Sequence, residues 1–264
     1  METCGAFSLG MMRRMEVTDT VLINRSGKRM PATFYTLENA KGTCVVLHGI
    51  GGWRGQEVVN AIVDAVTGEG YAAVTFDTAD GPMAPDADSL SMTTSACIED
   101  LEDVIAHIRK EPWYQEPLML AGHSLGALVA SEYAGRHKGI ERLILVAPAI
   151  SWKTYRLALP VGGFWFMSKK VWMPGPHATK YWLGTPFRKD FMQFDGYQRA
   201  AEIDAPTLVL IGTKDGLVGT VGSHEKYAHT FKNGSFKAIT GAGHTFYQKE
   251  QEVAATIRQW LTSS

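Results

Sequence analysis

Short apolar runs alternate with amphipathic segments along most of the chain, and this alternation limits the fold more than any other feature. TCVVLH at 43–48, YAAVTF at 71–76 and RLILVAP at 142–148 have the length and composition of buried strands. Between such runs, apolar residues recur at helical spacing, as at 59, 62, 63 and 66. Strands that alternate with helices form a mostly parallel sheet covered on both faces. The sequence therefore predicts an α/β fold.

Further segments complete the predicted core. EVTDTVLI and MPATFYT flank the turn NRSGK, a pattern that predicts an antiparallel hairpin at one edge of the sheet. PLMLAGH, TLVLIG and SFKAIT predict three more strands, and helical periodicity covers 93–110, ALVASEYAGR and 248–262. The predicted core consists of residues 15–148 and 205–264.

The alternation stops between residues 149 and 204. This stretch holds four of the seven tryptophans, and a structureless loop of that length is uncommon in a compact domain. We predict a small, mainly helical lid insertion at 149–204 that sits on top of the sheet. Residues 1–14 are predicted to be a leader outside the core, and they lack the basic start and apolar stretch of a signal peptide.

Charge and cysteine content narrow the possible partners. The formal net charge is −1, which gives no indication of a nucleic-acid partner, and no apolar run is long enough to predict membrane insertion. Cys4, Cys44 and Cys97 have neither the even number of a disulfide framework nor metal-ligand spacing. A reducing, cytoplasmic location without a bound metal is the simplest interpretation.

The strongest chemical signal is the pentapeptide Gly122-His123-Ser124-Leu125-Gly126. It fits G-x-S-x-G, with an apolar strand before it and a helix after it. The tight turn between strand and helix leaves no room for side chains at the two glycines, and it exposes the serine hydroxyl. Ser124 is therefore the predicted nucleophile, although the pentapeptide alone also occurs in ordinary turns.

A serine hydroxyl needs a base, and the base needs an acid that holds it in place. His244, in GAGHTF, follows the last predicted strand, and Asp215, in GTKDG, follows TLVLIG. Both positions lie at carboxyl ends of strands, where sites on open α/β sheets gather. We predict His244 as the base and Asp215 as the acid. Asp195 and Asp204 are weaker candidates for the acid because both precede the strand TLVLIG instead of following it.

The glycines of HGIGGW, at 48–53, predict an oxyanion hole after the strand TCVVLH. We expect its donors to be the backbone N–H groups of Ile50 and Leu125. Trp53, directly after the glycines, and His123, beside the predicted nucleophile, are the predicted substrate-binding residues. An ordinary glycine-rich turn remains an alternative for this segment.

With these motifs in place, the chain from about residue 17 onward resembles the α/β-hydrolase superfamily. The resemblance rests on HGIGG at 48–52, GHSLG at 122–126, GTKD at 212–215 and GAGH at 241–244. Within the superfamily the chain is similar to feruloyl esterase-like and monoacylglycerol lipase-like enzymes. It departs from many relatives in the loop that begins at Asp77, which is longer and more acidic than a D-x-x-G-x-G-x-S loop. That departure affects the expected substrate rather than the triad.

The resemblance implies a carboxylic ester hydrolase that works through an acyl-enzyme intermediate. The aromatic residues of the insertion at 149–204 favour a small to medium apolar or aromatic ester as substrate. A small core of the insertion itself is the alternative role for those aromatics. It implies no cofactor and leaves the oligomeric state open. Hydrolysis of thioesters and acyl transfer remain alternatives, because the same triad supports them. A carboxylate-nucleophile reaction is disfavoured by the serine at 124, and peptide cleavage lacks an acidic cluster for the substrate amine. A non-catalytic ligand-binding protein of the same fold is the least favoured alternative.

Overall fold

The computed structural model describes residues 14–154, 170–175, 177 and 179–263, and for Val171–Pro174 it describes the backbone alone. Eight strands form one sheet in the spatial order β1-β2-β4-β3-β5-β6-β9-β10. β1 pairs with β2 and β2 with β4 in antiparallel fashion, and the other neighbours are parallel. These strands are β1 Met15–Ile23, β2 Arg29–Leu37, β3 Thr43–Leu47, β4 Ala72–Phe76, β5 Leu118–His123, β6 Ile140–Val146, β9 Thr207–Gly212 and β10 Gly234–Ile239. The predicted α/β fold and its antiparallel edge hairpin are confirmed.

Helices join these strands and cover the sheet. They are α1 Glu57–Gly68, α2 Thr94–Ile108, α3 Leu125–Arg136, α4 Thr185–Phe191, α5 Gly196–Ala200, α6 Val221–Ala228 and α7 Glu250–Ser263. α1 packs against α7, whereas α3 packs against α2 and α5. All residues of β3, β4, β5 and β9 are buried, as expected for strands covered on both sides. Because β4, β3, β5, β6, β9 and β10 are parallel, their carboxyl ends lie at the same edge of the sheet.

The expectation of a mainly helical insertion is wrong in part. Within 149–204 the chain forms an antiparallel hairpin of β7 Lys170–Pro174 and β8 Lys180–Gly184, followed by the short helices α4 and α5. The two strands contain three aromatic residues and one valine, types that suit strands, and Pro174-Gly175 marks the turn. Trp165 and its neighbours lie outside the described residues. We refer to residues 170–200 as the cap.

The cap is tied to the segment between β4 and α2. The Tyr181 hydroxyl donates a hydrogen bond to the carbonyl oxygen of Asp80. The Asp190 carboxylate accepts bonds from the backbone N–H and the hydroxyl of Ser95, at 2.9 and 2.6 Å. The backbone at Gly184 approaches so closely that a Cβ there would lie 2.2 Å from the carbonyl oxygen of Leu90. Residues 77–95 therefore support the cap directly.

At its other end, the cap is fastened to α3. The carboxylate of Glu132, which is buried, accepts hydrogen bonds from Arg136 at 2.9 Å and from Arg199 at 3.1 Å. A buried carboxylate is stable when charged partners satisfy it, as here. In the described part of the chain, no helix is both long and apolar enough to cross a membrane.

Candidate active site

Ser124 occupies the turn between β5 and α3. Its backbone has φ 55° and ψ −114°, a left-handed conformation that side chains other than glycine seldom adopt. A Cβ at Gly122 would lie 2.4 Å from the backbone of Gly126, and a Cβ at Gly126 would lie 2.4 Å from the carbonyl oxygen of His48. Both glycines are therefore required sterically, as the sequence pattern indicated. The strained turn lifts the serine hydroxyl off the strand.

The structure brings the three predicted residues together. The Nε2 atom of His244 lies 3.0 Å from Oγ of Ser124, and its Nδ1 atom lies 2.8 Å from Oδ2 of Asp215. With Asp215 ionised, Nδ1–H donates to the carboxylate, and Nε2 is left to accept the serine proton. His244 follows β10 and Asp215 follows β9, so two neighbouring strands present the acid and the base at the same edge.

The surroundings of Asp215 favour its ionised form. Burial by itself raises the pKa of this carboxyl group, but hydrogen bonds from His244 and from the backbone N–H of Leu217 and Val218 outweigh that effect. The net result is a pKa below the ordinary value for aspartate. The Asp215 side chain has no exposed surface, whereas 16% of the His244 side chain is exposed. A buried anion therefore lies behind the partly exposed imidazole of His244.

The predicted oxyanion donors lie on two sides of the nucleophile. Leu125 follows Ser124 at the start of α3, and Gly49 is so close to Ser124 that a Cβ on it would lie 2.9 Å from the serine Cβ. Between described residues, the structure gives the N–H groups of Ile50 and Leu125 no hydrogen-bond partner. We call residues 48–54 the oxyanion loop. The assignment of its donors stays a prediction.

Sequence reasoning missed the residues that fix the oxyanion loop. The fully buried carboxylate of Asp77 accepts the backbone N–H of Arg54 at 2.7 Å and its guanidinium Nη1–H at 2.5 Å. At the other end of the loop, the buried imidazole of His48 contacts Thr78 and Gly49. The signals were present, because Asp77 opens the loop in which this chain departs from its relatives and His48 precedes the glycines.

His123 is buried under the loop that carries His244. Only 3% of the surface of His123 is exposed. Its Nε2–H donates a hydrogen bond to the carbonyl oxygen of His244 at 2.9 Å, and the centres of the two imidazole rings lie 4.8 Å apart. Burial, together with the nearby charge of His244, lowers the pKa of His123 to about 3. This neutral imidazole therefore holds the backbone of His244 in place. Its predicted contact with substrate is not tested by these distances.

Trp53 lies at the outer end of the oxyanion loop. Its ring is partly exposed and lies 6.1 Å from the ring of His177, which belongs to the segment between the two cap strands. A cavity of about 310 Å³ opens beside Asp215 and is lined by residues that include Thr154 and Gly219. A larger groove of about 980 Å³ lies along β1 and β2 and shares no lining residue with the triad. The groove is therefore separate from the predicted nucleophile.

Comparisons with known proteins agree with this architecture. A family model described as serine aminopeptidase, S33, matches residues 38–190, which is more than half of the chain. A search of curated proteins gives no significant match. The matched region contains Ser124 and the oxyanion loop, whereas Asp215 and His244 lie beyond it.

Solved structures similar to this chain include several esterases. Est1E from Butyrivibrio proteoclasticus with ferulic acid bound is 16% identical, with a TM-score of 0.78, and the match covers 92% of this chain and 98% of that one. The esterase domain of a Rhodothermus marinus protein is 17% identical, with a TM-score of 0.70 and coverage of 93% and 98%. The Pyrococcus furiosus esterase Pf2001 is 19% identical, with a TM-score of 0.70 and coverage of 94% and 91%. At these identities the likeness establishes the fold.

Proposed function

Because this chain belongs to the serine aminopeptidase S33 family of α/β hydrolases, we propose that it is a carboxylic ester hydrolase whose nucleophile is Ser124. One observation carries the proposal. An unbroken chain of hydrogen bonds runs from Asp215 through His244 to a serine held at φ 55° on a strand-to-helix turn. This is the arrangement that raises the nucleophilicity of a serine hydroxyl.

The proposed reaction has two steps. Oγ of Ser124 attacks the ester carbonyl carbon as its proton passes to Nε2 of His244, and the carbonyl oxygen becomes an oxyanion near the N–H groups of Ile50 and Leu125. The C–O bond to the alcohol then breaks, and the leaving oxygen takes the proton from Nε2. Water repeats the sequence on the acyl-serine, with His244 accepting its proton. Release of the carboxylic acid restores the Ser124 hydroxyl.

The electrostatics of the site suit this proton transfer. His244 becomes an imidazolium in each tetrahedral intermediate, and the ionised Asp215 offsets that charge from a distance of 2.8 Å. Because Asp215 is buried, the interaction is weakly screened by solvent. His123, held neutral by burial, adds no competing positive charge beside the imidazolium.

The charge pattern of the sequence from β6 to α4 favours an ester over a peptide amine. From Arg142 to Lys189 the sequence contains eight lysine or arginine residues and no aspartate or glutamate. An aminopeptidase needs carboxylates to bind the ammonium group of its substrate, and this stretch supplies none. Among the described residues around the nucleophile, Asp215 is already engaged by His244. The proposed substrates are therefore neutral or anionic esters.

Labelling and turnover test the proposal together. Wild-type protein should hydrolyse p-nitrophenyl butyrate and react with a fluorophosphonate at Ser124, and Ser124→Ala should lose both properties. Ser131→Ala is the matched control, because Ser131 lies on the same helix and bonds to the Tyr227 hydroxyl, away from the triad. A label on another residue, or unchanged turnover by Ser124→Ala, would refute the assignment.

The alternative functions can be distinguished by the substrates that the protein turns over. Butyryl-thioester turnover faster than ester turnover would favour a thioesterase, and transfer of the acyl group to an added alcohol would favour an acyltransferase. Cleavage of aminoacyl p-nitroanilides in preference to esters would favour the peptidase activity in the family description. Binding without turnover on a broad ester panel would leave only a ligand-binding role.

A further inference from the structure

The buried imidazole of His48 lies at the base of the oxyanion loop and bonds to backbone groups on both sides. Its Nε2 atom accepts the N–H of Thr78 at 3.2 Å, and its Nδ1 atom lies 2.8 Å from the carbonyl oxygen of Gly49. His48 is 5% exposed, and it directly follows Leu47, the last residue of β3. None of these contacts is made by a member of the triad.

The two bonds fix the tautomer of this ring. A backbone N–H can only donate, so Nε2, which faces the N–H of Thr78, must be the unprotonated nitrogen. In the neutral ring the hydrogen is then on Nδ1, and it points at the carbonyl oxygen of Gly49. Burial lowers the pKa of His48 and keeps the ring neutral, although the negative charge of Asp77 acts in the opposite sense.

The carbonyl of Gly49 belongs to the same peptide group as the N–H of Ile50. That carbonyl accepts a second hydrogen bond, from the N–H of Gly52 at 3.0 Å, so both of its lone pairs are used. In a planar trans peptide the C=O and N–H bonds point in opposite directions. Whatever holds the Gly49 carbonyl therefore also aims the N–H of Ile50.

We propose that His48 is a positioning residue that holds the Gly49–Ile50 peptide plane, so that the Ile50 N–H is directed at the oxyanion. This inference rests on the proposed esterase function. His48 does not touch the reacting atoms, and it acts through the peptide that it holds. The close approach of Gly49 to the Ser124 Cβ places this peptide beside the nucleophile.

Three substitutions separate the two bonds of the ring. The side-chain N–H of His48→Asn can occupy the place of Nδ1 and still donate to Gly49, but it does not reach Thr78. The carbonyl of His48→Gln can accept from Thr78 but does not donate to Gly49. His48→Leu retains apolar volume and neither bond. An oxyanion donor contributes about 10²–10³ in kcat, and a misdirected donor retains part of that.

We therefore expect kcat for p-nitrophenyl butyrate to fall by about 10- to 100-fold in His48→Leu and His48→Gln, and by less than about 5-fold in His48→Asn. KM should change by less than about 3-fold in all three, because a ground-state ester carries no oxyanion. Inhibition by phenylboronic acid, whose adduct with serine carries a tetrahedral oxygen, should weaken in parallel with kcat. Thermal unfolding of each variant establishes that it is folded.

A role in packing alone would give a different result. The variants would then rank by stability, and kcat would not distinguish Asn from Gln. Retention of kcat within about 2-fold by a folded His48→Leu, or equal loss in the Asn and Gln variants, would overturn the inference. If instead the wild-type protein fails to hydrolyse the ester and takes no label at Ser124, the proposed function is what fails.

The tautomer can be read without any variant. In protein labelled with ¹⁵N-histidine, long-range ¹H–¹⁵N correlation at neutral pH should assign His48 a protonated Nδ1 and an unprotonated Nε2. A proton on Nε2 would contradict the bond from Thr78 and, with it, the orientation of the peptide. This measurement remains decisive even if a substitution at His48 prevents folding.

Discussion

The buried imidazole of His123 should make the fold sensitive to acid. An unfolded histidine has a pKa near 6.5, whereas burial and the neighbouring His244 lower the pKa of His123 to about 3 in the folded protein. Below the unfolded value, the unfolded chain binds a proton that the folded chain does not bind. The stabilising contribution is therefore complete above about pH 6.5 and is lost as the pH falls toward 3.

The size of the change in unfolding free energy follows from the pH range in which the folded and unfolded states bind different numbers of protons. Between pH 7 and pH 5, the two states differ by one proton over roughly 1.5 pH units, which corresponds to about 2 kcal/mol of unfolding free energy. The ionisable groups that face His123 are His244, Asp215 and His48. Asp215 has a lowered pKa and stays ionised in this interval, and its attraction for a proton on His123 is already contained in the pKa of about 3.

Urea unfolding at the two pH values measures this contribution. The wild-type protein should lose about 2 kcal/mol more between pH 7 and pH 5 than His123→Gln, whose amide cannot take up the proton. His229→Gln is the control, because His229 is exposed at the end of α6. His48 and His224, also buried with lowered pKa values, act equally in all three proteins. If His123→Gln is as acid-sensitive as the wild-type protein, the assigned burial of a neutral His123 is wrong.

Three further predictions concern the turn, the loop and the charge of the substrate. Gly126→Ala, whose Cβ would meet the His48 carbonyl oxygen, should lower Tm by roughly 3–10 °C, whereas Gly222→Ala, in open space on α6, should not lower it. Asp77→Asn should cost roughly 2 kcal/mol in urea unfolding and reduce kcat, because Arg54 loses its closest and only buried charged partner among the described residues; unchanged kcat would refute a role of this ion pair in fixing the loop. A carboxylate-bearing p-nitrophenyl ester should have a higher kcat/KM than an ammonium-bearing one, with an advantage that salt reduces; the opposite order would contradict the charge argument.

The triad could be predicted from sequence because the fold gives its positions a simple rule. Carboxyl ends of parallel strands meet at one edge of a sheet, so residues that follow the predicted strands PLMLAGH, TLVLIG and SFKAIT become neighbours in space. Ser124, Asp215 and His244 each sit directly after such a run. Hydrophobic periodicity defined those runs well, since the central strands are wholly buried.

The supporting contacts could not be predicted in the same way. The bond from Thr78 to His48 joins residues 30 positions apart, and it depends on the path of an irregular loop rather than on any period. The place of His123 was equally hidden, because adjacency to Ser124 does not say on which side of the turn a side chain lies. The hairpin at 170–184 was not predicted, because its aromatic residues are also common on helix faces and its strands are only five residues long.

Residues 77–95 serve two parts of the site at once. Asp77 and Thr78, at the start of this segment, fix the oxyanion loop, whereas Asp80 and Ser95 support the cap. A mutation in this segment that is chosen to reshape the cap would therefore also displace the oxyanion loop. Attempts to redirect specificity should therefore begin at Trp53 or His177, whose ring contact involves no residue of 77–95.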